Sequence, residues 1–294
     1  MPVVPIGSLP NRISGGRDDK RPHNARSTPD ATTLGEAGLP MTIAVGAPAW
    51  VDLATNDVSG TRDFYTGLFG WHWIQRPDYN IAMKEHKPVA GVLPPQTGVP
   101  TAWTLYLECG SVRHAVERIR ALGGKVLVPP TETPADEMFL VAEDPTGAPV
   151  GLWQAPPNGT FGRDHAGMLC WAELHTRDGS AADPFYADLL GYRQEQIGEP
   201  GDGFDYTVWY VDDQPTAGRF ETSLSLPEDV PAHWQLYFQV NPDQDTDAAT
   251  AKAVELGGEV LRDPTDSPHG RVALLRDVVG ASFFIIDTAQ RTGE

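Results

Sequence analysis

The pattern of apolar and polar positions divides the chain into short elements in a recurring order. Apolar residues alternate with polar ones over 49–55, and over 58–68 they recur at helical spacing, with Asp57 placed to cap the helix and Gly70 to end it. Further short apolar stretches lie near 71–75, 79–84 and 89–93. The pattern therefore predicts a β-α-β-β-β unit.

The same unit is predicted three more times along the chain. A strand over 103–108 and a helix over 112–122 are followed by strands near 125–128, 138–143 and 149–153. The four units begin near residues 49, 102, 169 and 233. A Gly-Gly pair follows the helices of the second and fourth units. Because neither pair lies between a strand and a helix, we interpret both as helix stops rather than phosphate-binding loops.

The four units form two homologous halves. The motif Trp50-Val-Asp-Leu-Ala-Thr-Asn-Asp57 recurs 121 residues later as Trp171-Ala-Glu-Leu-His-Thr-Arg-Asp178. We predict two domains, 48–155 and 167–288, with 156–166 as a linker rich in Pro and Gly. Residues 1–47 are poor in apolar residues after Leu9, and we expect a disordered tail there because it has little apolar surface to bury.

Five motifs of the first half carry a recognisable pattern: Trp50-Val-Asp-Leu with Asp57, Phe64-Tyr65, Leu68-Phe69-Gly70-Trp71, Leu122-Gly123-Gly124 and Asp144-Pro145-Thr146-Gly147. This pattern resembles the vicinal oxygen chelate (VOC) superfamily, which has the glyoxalase/bleomycin-resistance/dioxygenase fold. Within it, the chain is most similar to tandem actinobacterial 27 kDa antigen/CFP-30B-like proteins. The resemblance implies an α+β fold in which four βαβββ units form two curved mixed sheets, each around one cavity.

The resemblance also implies where a divalent metal would be held. Enzymes of the superfamily place His, Glu or Gln ligands on particular strands of each unit. The corresponding positions of this chain are Trp50, Val92, Trp103, Gly151, Trp171, Phe220, Trp234 and Phe284. None of these side chains can ligate a divalent cation, so we expect no metal and no other cofactor. The alternative is a relocated metal site built from Glu173, His175, Glu221 and His233.

Aromatic side chains stand where the family has its metal ligands. We predict that Trp50, Trp103, Trp171 and Trp234 face the cavities, that Trp209 lies on a nearby strand, and that these rings bind an aromatic or apolar small molecule. The alternative is that the rings fill the concave side of each sheet as ordinary core.

Polar residues on the same strands are the candidates for acid–base chemistry. Glu173 and His175 share strand parity with Trp171, and we predict them as the catalytic residues of an enzyme. Asp52 is the matching ligand-binding candidate of the first half. Arg271 resembles an arginine that the family places before a late strand, where it would hold a ligand carboxylate. Because the first half lacks that arginine, we expect the second cavity to suit polar or anionic ligands better. Solvated strand-edge positions are the alternative for these residues.

The acidic composition narrows the possible partners. With 22 Lys and Arg against 40 Asp and Glu, the formal net charge is −18, which disfavours nucleic acids and anionic membrane surfaces. No apolar run approaches the roughly 18 residues of a membrane span. Two cysteines, Cys109 and Cys170, exclude a disulfide scaffold. We expect a cytoplasmic monomer or homodimer whose partner is a small molecule.

Three functions fit these observations. The first is a metal-free binder of an aromatic or apolar small molecule, as in bleomycin resistance and sequestration. The second is a VOC-type enzyme of secondary metabolism, either a metal-free lyase, isomerase or cyclase, or a glyoxalase or dioxygenase with relocated ligands. The third is a recognition module whose cavities are filled. Ligand binding separates the third from the others, and turnover separates the second from the first.

Overall fold

The computed structural model describes residues 43–95, 101–133, 136–157, 159–198, 204–223 and 226–290. Within these ranges the chain forms strands and helices in the order βαβββ, four times in succession. The tail predicted to be disordered, 1–47, lies outside the described residues apart from 43–47. None of the helices in the described ranges is long and apolar enough to cross a bilayer.

The first half contains two of the four units. Its elements are β1 (Pro48–Ala54), α1 (Val58–Phe69), β2 (His72–Ile74), β3 (Asn80–Lys84), β4 (Lys87–Leu93), β5 (Trp103–Glu108), α2 (Val112–Ala121), β6 (Lys125–Glu132), β7 (Met138–Glu143) and β8 (Pro149–Gln154). The predicted helices end within a residue of the observed ones, because the capping residues mark both ends.

The second half repeats the same elements. They are β9 (Leu169–Thr176), α3 (Gly179–Leu190), β10 (Arg193–Ile197), β11 (Tyr206–Val211), β12 (Gln214–Glu221), β13 (His233–Gln239), α4 (Thr246–Glu255), β14 (Glu259–Ser267), β15 (Gly270–Arg276) and β16 (Ser282–Asp287). We refer to the two halves as the first and second domains.

Each domain builds one eight-stranded mixed sheet. The strand order is β2-β3-β4-β1-β5-β8-β7-β6 in the first domain and β10-β11-β12-β9-β13-β16-β15-β14 in the second. In the first sheet β1 runs antiparallel to β5 and parallel to β4, and β5 runs parallel to β8. The second sheet repeats this arrangement around β9 and β13. The predicted α+β fold with two mixed sheets is therefore confirmed.

The repeated Asp and Gly of the motif start and end the first helix of each domain. The Asp57 Oδ1 atom accepts a hydrogen bond from the backbone N–H of Gly60 at 2.9 Å. Gly70 adopts a left-handed conformation, with φ at 71°, and its N–H donates to the Thr66 carbonyl. The equivalent residues of α3 make the same contacts. The aspartate therefore fixes the residue at which the helix begins, and the glycine fixes the residue at which it ends.

The helix-covered faces of the two sheets pack on each other and share one core. The ring of Trp103 on β5 lies 5.5 Å from that of Phe238 on β13, and Phe64 on α1 lies 6.2 Å from Phe283 on β16. A Cβ atom at Gly258, the second glycine of a Gly-Gly pair, would lie 2.9 Å from Phe64. The missing side chain therefore lets a helix of one domain approach the other. The opposite faces of both sheets point away from this core.

Candidate functional site

Each sheet has an outer face, which we define as the face opposite the helices. On β1, Trp50 and Asp52 alternate with residues of the core between the domains, so they point to the outer face of the first sheet. On β9, Trp171, Glu173 and His175 occupy the equivalent alternate positions on the second sheet. The structure therefore brings the predicted tryptophan and carboxylate of each first strand onto one surface.

A buried carboxyl group lies at the centre of the first outer face. The Asp52 Oδ2 atom accepts hydrogen bonds from the hydroxyl groups of Tyr106 at 3.2 Å and Tyr79 at 3.3 Å. The Trp50 indole N–H donates in turn to the Tyr79 oxygen at 2.6 Å. Burial raises the pKa of the Asp52 carboxyl to about 7, although the two phenols oppose the increase. This carboxyl group has the pKa of a proton shuttle, but its surroundings are crowded.

The first outer face is largely filled by its own aromatic rings. Trp50, Tyr106 and Trp153 are each less than a tenth exposed and pack in one cluster. Phe161, from the linker between the domains, lies 5.7 Å from the Trp50 ring. A Cβ atom at Gly151 would collide with the Tyr106 ring at 2.1 Å, so the glycine is needed to seat that ring. This face therefore resembles a small core more than a binding cavity.

Four donors surround the Glu173 carboxylate at the centre of the second outer face. Its Oε1 atom accepts from the Tyr206 hydroxyl at 2.8 Å and from the Trp171 indole N–H at 3.2 Å. Its Oε2 atom accepts from the Tyr237 hydroxyl at 2.6 Å and lies 3.3 Å from His175 Nε2. Glu173 itself is almost completely buried. The predicted pair Glu173 and His175 is therefore in direct contact.

The electrostatics of the second outer face favour an ionised Glu173. Burial alone would raise the pKa of this carboxyl group, but the hydrogen bond and charge of His175, together with the two phenols, lower it below its ordinary value. The His233 ring lies 5.2 Å from the His175 ring. Burial and the charge of His175 lower the pKa of His233. The face therefore combines a carboxylate with a pair of imidazoles.

The wall beside Glu173 is aromatic and carries two donors without partners. The rings of Tyr237 and Phe284 stack at 4.3 Å with an interplanar angle of 5°. The Arg262 guanidinium carbon lies 4.7 Å from the centre of the Phe284 ring. Both the Nε2 atom of Gln235 and the Nε atom of Arg262 are buried without a hydrogen-bond partner. A flat apolar surface with unused donors is typical of a small-molecule site.

The prediction that Trp103 and Trp234 face the cavities is wrong. Both rings lie on the helix-covered faces, in the core between the domains. The Trp103 indole donates to the Tyr65 hydroxyl at 3.0 Å, and the Trp234 indole donates to the Tyr186 hydroxyl at 3.2 Å. Because side chains alternate along a strand, the next residue of β13, Gln235, takes the outer position instead.

Trp209 is also on the helix-covered face. Its ring is fully buried against Tyr186 at 4.7 Å and Tyr192 at 5.4 Å. Its indole N–H donates to the Asp183 carboxylate of α3 at 3.0 Å. The ring therefore anchors the helix to the sheet and does not contribute to the outer face.

Arg271 lies away from the outer face that it was predicted to serve. It shares strand parity with core residues of β15, and its guanidinium pairs with Asp247 of α4 and with Asp266, the latter at 2.8 Å. With two carboxylates already bound, this guanidinium is not available to a ligand carboxylate. Arg262 is the arginine that reaches over the outer face.

The side chains of the outer faces do not fit the divalent metal that the fold family implies. Trp171, Phe220 and Phe284 stand at positions predicted from the family, and none of them has a ligating atom for a divalent cation. Both oxygens of Glu173 already accept hydrogen bonds. The Glu221 carboxylate caps the backbone N–H of Ser223 at 2.9 Å. In the described ranges, no group of three or more His, Cys, Asp or Glu side chains is arranged to hold a metal ion.

A groove of about 400 Å³ lies between the two domains, and none of the outer-face side chains described above lines it. It runs between the turn at Thr146–Gly147 of the first domain and residues 176–178 and 228–232 of the second. Arg177, its basic residue, donates to the carbonyl of Val230 at 2.7 Å. No aromatic side chain lines the groove, so we place the candidate site on the second outer face.

Sequence reasoning missed several residues of this site. Tyr237, Gln235, Arg262 and Phe284 were not predicted to bind a ligand, although Phe284 was identified as a family metal position. A usable signal exists for the first two residues, because Leu236 alternates with them and belongs to the core. Arg262 lies on an edge strand, and its reach to Phe284 depends on tertiary packing.

Comparisons with known proteins agree with this architecture. Residues 47–152 match the family described as "Glyoxalase/Bleomycin resistance protein/Dioxygenase superfamily", and residues 171–286 match the family described as "Glyoxalase-like domain". Together the two matches cover most of the chain and correspond to the two domains.

Curated relatives match along nearly their whole length. The "Putative glyoxylase CFP32" of Mycobacterium tuberculosis is 35% identical over 83% of this chain and 95% of its own. The "Anthracycline biosynthesis protein DnrV" of Streptomyces peucetius is 34% identical over 83% of this chain and 94% of its own. Both matches span the two domains.

Solved structures share the fold at low sequence identity. The Mn(II)-bound glyoxalase from Novosphingobium aromaticivorans has a TM-score of 0.60 at 13% identity, covering 85% of this chain and 87% of its own. The 2,3-dioxygenase LapB from Pseudomonas sp. KL28 has a TM-score of 0.62 at 13% identity, covering 83% and 93%. With the family matches and the relatives, these similarities lead to one conclusion. The chain belongs to the glyoxalase/bleomycin resistance protein/dioxygenase (VOC) superfamily and carries two glyoxalase-type domains in tandem.

Proposed function

We propose that the outer face of the second domain binds a planar aromatic small molecule without a metal ion. The observation that carries this proposal is the Glu173 carboxylate, which four donors hold beside the stacked rings of Tyr237 and Phe284. Aromatic walls supply apolar contact area, and a few fixed polar groups orient the bound molecule.

The first domain is proposed to be structural, so that one molecule binds per chain. Its equivalent tryptophan, Trp50, is buried under Phe161, whereas Trp171 of the second domain stays partly exposed. Its carboxyl group, Asp52, has two phenol donors but no imidazole beside it. The second domain therefore has both the access and the polar groups.

The relatives favour an aromatic ligand from secondary metabolism. Two relatives, DauV and DnrV, are named as anthracycline biosynthesis proteins and are 34% identical to this chain. Anthracyclines are planar polycyclic compounds that carry hydroxyl and carbonyl groups. A ligand of that general shape matches a flat ring wall with nearby hydrogen-bonding groups.

Titration of the purified protein with a panel of anthraquinones and naphthoquinones tests the proposal. We expect quenching of tryptophan fluorescence, with a calorimetric stoichiometry of one per chain. Trp171→Phe should weaken binding about tenfold, because it removes ring area and a donor to Glu173. Trp50→Phe, at the equivalent position of the first domain, is the matched control and should leave affinity unchanged. Absence of binding, or equal loss in both variants, would contradict the proposal, and so would stoichiometric metal in the purified protein.

A metal-free enzyme is the second candidate function. The observation that favours it is the contact between the ionised Glu173 carboxylate and His175, which is the arrangement of a proton-transfer pair. Such a pair would exchange an acidic C–H proton of a bound ligand with solvent. NMR in D₂O detects this exchange directly. If exchange stops in Glu173→Gln and His175→Ala while both variants still bind the ligand, the protein is an enzyme. If the bound ligand never exchanges, it is a binder.

A further inference from the structure

The second outer face contains two buried donors that nothing in the protein satisfies. Gln235 is only 4% exposed, and its Nε2 atom has no hydrogen-bond partner. The Nε atom of Arg262 is likewise buried and unpartnered. A buried donor without an acceptor destabilises the folded protein, and native structures leave few of them. Two such donors on one face therefore indicate a ligand that supplies acceptor atoms.

Arg262 differs in its charge partners from two other arginines of the second domain, Arg219 and Arg271. Arg219 pairs with Asp183 and Asp205, and Arg271 pairs with Asp247 and Asp266. In the part of the chain that the structure describes, Arg262 pairs with no carboxylate and instead lies over the Phe284 ring. The charge of this guanidinium is therefore available to an anionic group of a ligand.

The Glu173 carboxylate and the Arg262 guanidinium give the outer face two electrically different ends. Between them lie the stacked rings of Tyr237 and Phe284, because Tyr237 donates to Glu173 and Phe284 lies under Arg262. An anionic group on a ligand is repelled at the Glu173 end and attracted at the Arg262 end. The two ends therefore set the direction in which a planar ligand lies.

The geometry points to an aromatic ligand that carries an anionic oxygen, as a ring-attached carboxylate or an ionised phenol or enol. Arg262 receives this oxygen, and the aromatic ring of the ligand packs on Tyr237 and Phe284. Gln235 lies opposite Glu173 on the neighbouring strand, where its free N–H donates to a neutral acceptor of the ligand. A guanidinium binds oxyanions through charge-assisted hydrogen bonds, which are stronger than neutral ones. This inference rests on the proposed function and adds the charge and orientation of the ligand to it.

A matched pair of probes tests the inference: 2-naphthoate and 2-naphthamide, which share one ring system and differ in the charge of the substituent. At neutral pH we expect the wild-type protein to bind the naphthoate at least about tenfold more tightly by calorimetry. The preference should decrease with added salt, because screening weakens the attraction. This comparison needs no variant, so it holds even where a substitution impairs folding.

Variants then identify the residues that carry the preference. Arg262→Gln should abolish it and Arg262→Lys should retain part of it, whereas Gln235→Met, at the Glu173 end, should leave it intact. Arg276→Gln removes an exposed arginine of β15, ion-paired with Glu259, and is the matched control for a change of one charge. It should leave the preference intact. Circular dichroism and thermal melting establish that each variant is folded.

The possible outcomes separate this inference from the proposed function. Equal affinity of the wild-type protein for the two probes overturns the inference and leaves the proposed function standing. Equal loss of preference in Arg262→Gln and Arg276→Gln also overturns it, because the effect is then one of overall charge. If neither probe binds, and no neutral aromatic compound binds either, the proposed function itself fails.

Discussion

Tyr65 of the first domain donates a hydrogen bond from its hydroxyl group to the Asp277 carboxyl of the second domain, at 2.9 Å. The contact is reciprocal, because Tyr186 of the second domain donates to Asp144 of the first at 3.0 Å. Both carboxyl groups are buried, and their burial raises their pKa values. The two domains are thus joined by a symmetric pair of polar contacts inside an apolar core.

These contacts explain why three separated motifs recur in both halves. Asp277 also accepts hydrogen bonds from two backbone N–H groups of its own turn, so it fixes that turn as well as the neighbouring domain. The oxygen of Tyr65 accepts the indole N–H of Trp103. The repeated residues therefore form two equivalent hydrogen-bonded chains across the interface, Trp103–Tyr65–Asp277 and Trp234–Tyr186–Asp144.

We predict that Tyr65→Phe destabilises the protein by about 1–3 kcal/mol. The substitution removes the donor to Asp277 and leaves the Trp103 indole N–H without its acceptor, both in the buried core. Urea unfolding followed by fluorescence measures the change. Tyr210→Phe, at a half-exposed position of β11, is the control and should change stability by less than about 0.5 kcal/mol. Equal effects of the two substitutions would contradict the role assigned to Tyr65.

The raised pKa of Asp52 predicts that the stability of the protein depends on pH. Because burial raises the pKa of this carboxyl group from 3.8 to about 7, the folded protein keeps a proton that the unfolded chain has lost between these values. Unfolding then releases a proton, so the Asp52 contribution to stability falls as the pH rises through this window and is constant above about pH 7.

The variant Asp52→Asn isolates that contribution. The asparagine side chain carries no charge at any pH. The free energy of unfolding of the variant, relative to the wild type, should therefore increase from about pH 4 to about pH 7 and then level off, with a total increase of at most about 4 kcal/mol. Other buried carboxyl groups, such as Asp144, titrate in both proteins and cancel in the difference. Urea unfolding across this range gives the difference curve. A curve that is flat, or that falls with pH, would refute the raised pKa.

The sequence predicts the fold well because the repeat carries redundant signals. Capping residues, strand alternation and helix stops agree in the first half, where each predicted element lies near its observed position, and the predicted starts near 169 and 233 match β9 and β13. The face assignment failed at Trp103 because that residue was matched to Trp50 by type. The alternation itself contains the correct answer. Trp103 alternates in phase with Leu105 and Leu107, which face the core, whereas Trp50 is in phase with the polar Asp52.

Other features of the candidate site depend on contacts between distant parts of the chain. Glu173 and His175 were predictable because they lie two residues apart on one strand. Arg262 reaches Phe284 from an edge strand, and Phe161 reaches Trp50 from the linker. No local pattern specifies such contacts, since they follow from how strands and linker pack in three dimensions.

We predict that His175→Gln raises the pKa of Glu173. In the wild type, the hydrogen bond and charge of His175 help to outweigh the burial that would raise this pKa. The indole N–H of Trp171 donates to Glu173 and reports its ionisation, so its NMR resonance should titrate at higher pH in the variant. Trp171→Phe assigns that resonance.

The contribution of Glu173 to stability should depend on pH in opposite directions in the wild type and in His175→Gln. The lowered pKa of Glu173 means that its contribution to wild-type stability is present above the pKa of the unfolded chain and is lost as the pH falls through the folded value. In His175→Gln a raised pKa reverses this sign. Identical titration of the Trp171 indole in both proteins would show that His175 does not control Glu173.

The position of Phe161 over Trp50 predicts that one substitution can open the first outer face. Its ring covers Trp50 at 5.7 Å, and the neighbouring N–H of Gly162 donates to the Pro88 carbonyl at 2.8 Å, which holds the linker against the sheet. Phe161→Ala should cost about 1–3 kcal/mol, because the ring is partly buried, and it should expose Trp50. Acrylamide quenching should then reveal an additional accessible tryptophan. That component must vanish in the double variant Phe161→Ala/Trp50→Phe, which separates exposure of Trp50 from general loosening of the protein.

The same variant also tests whether Phe161 closes the first outer face to ligands. If it does, the stoichiometry of aromatic probe binding to Phe161→Ala should rise from one to two molecules per chain. An unchanged stoichiometry with an exposed Trp50 would show that the other rings fill the face without Phe161.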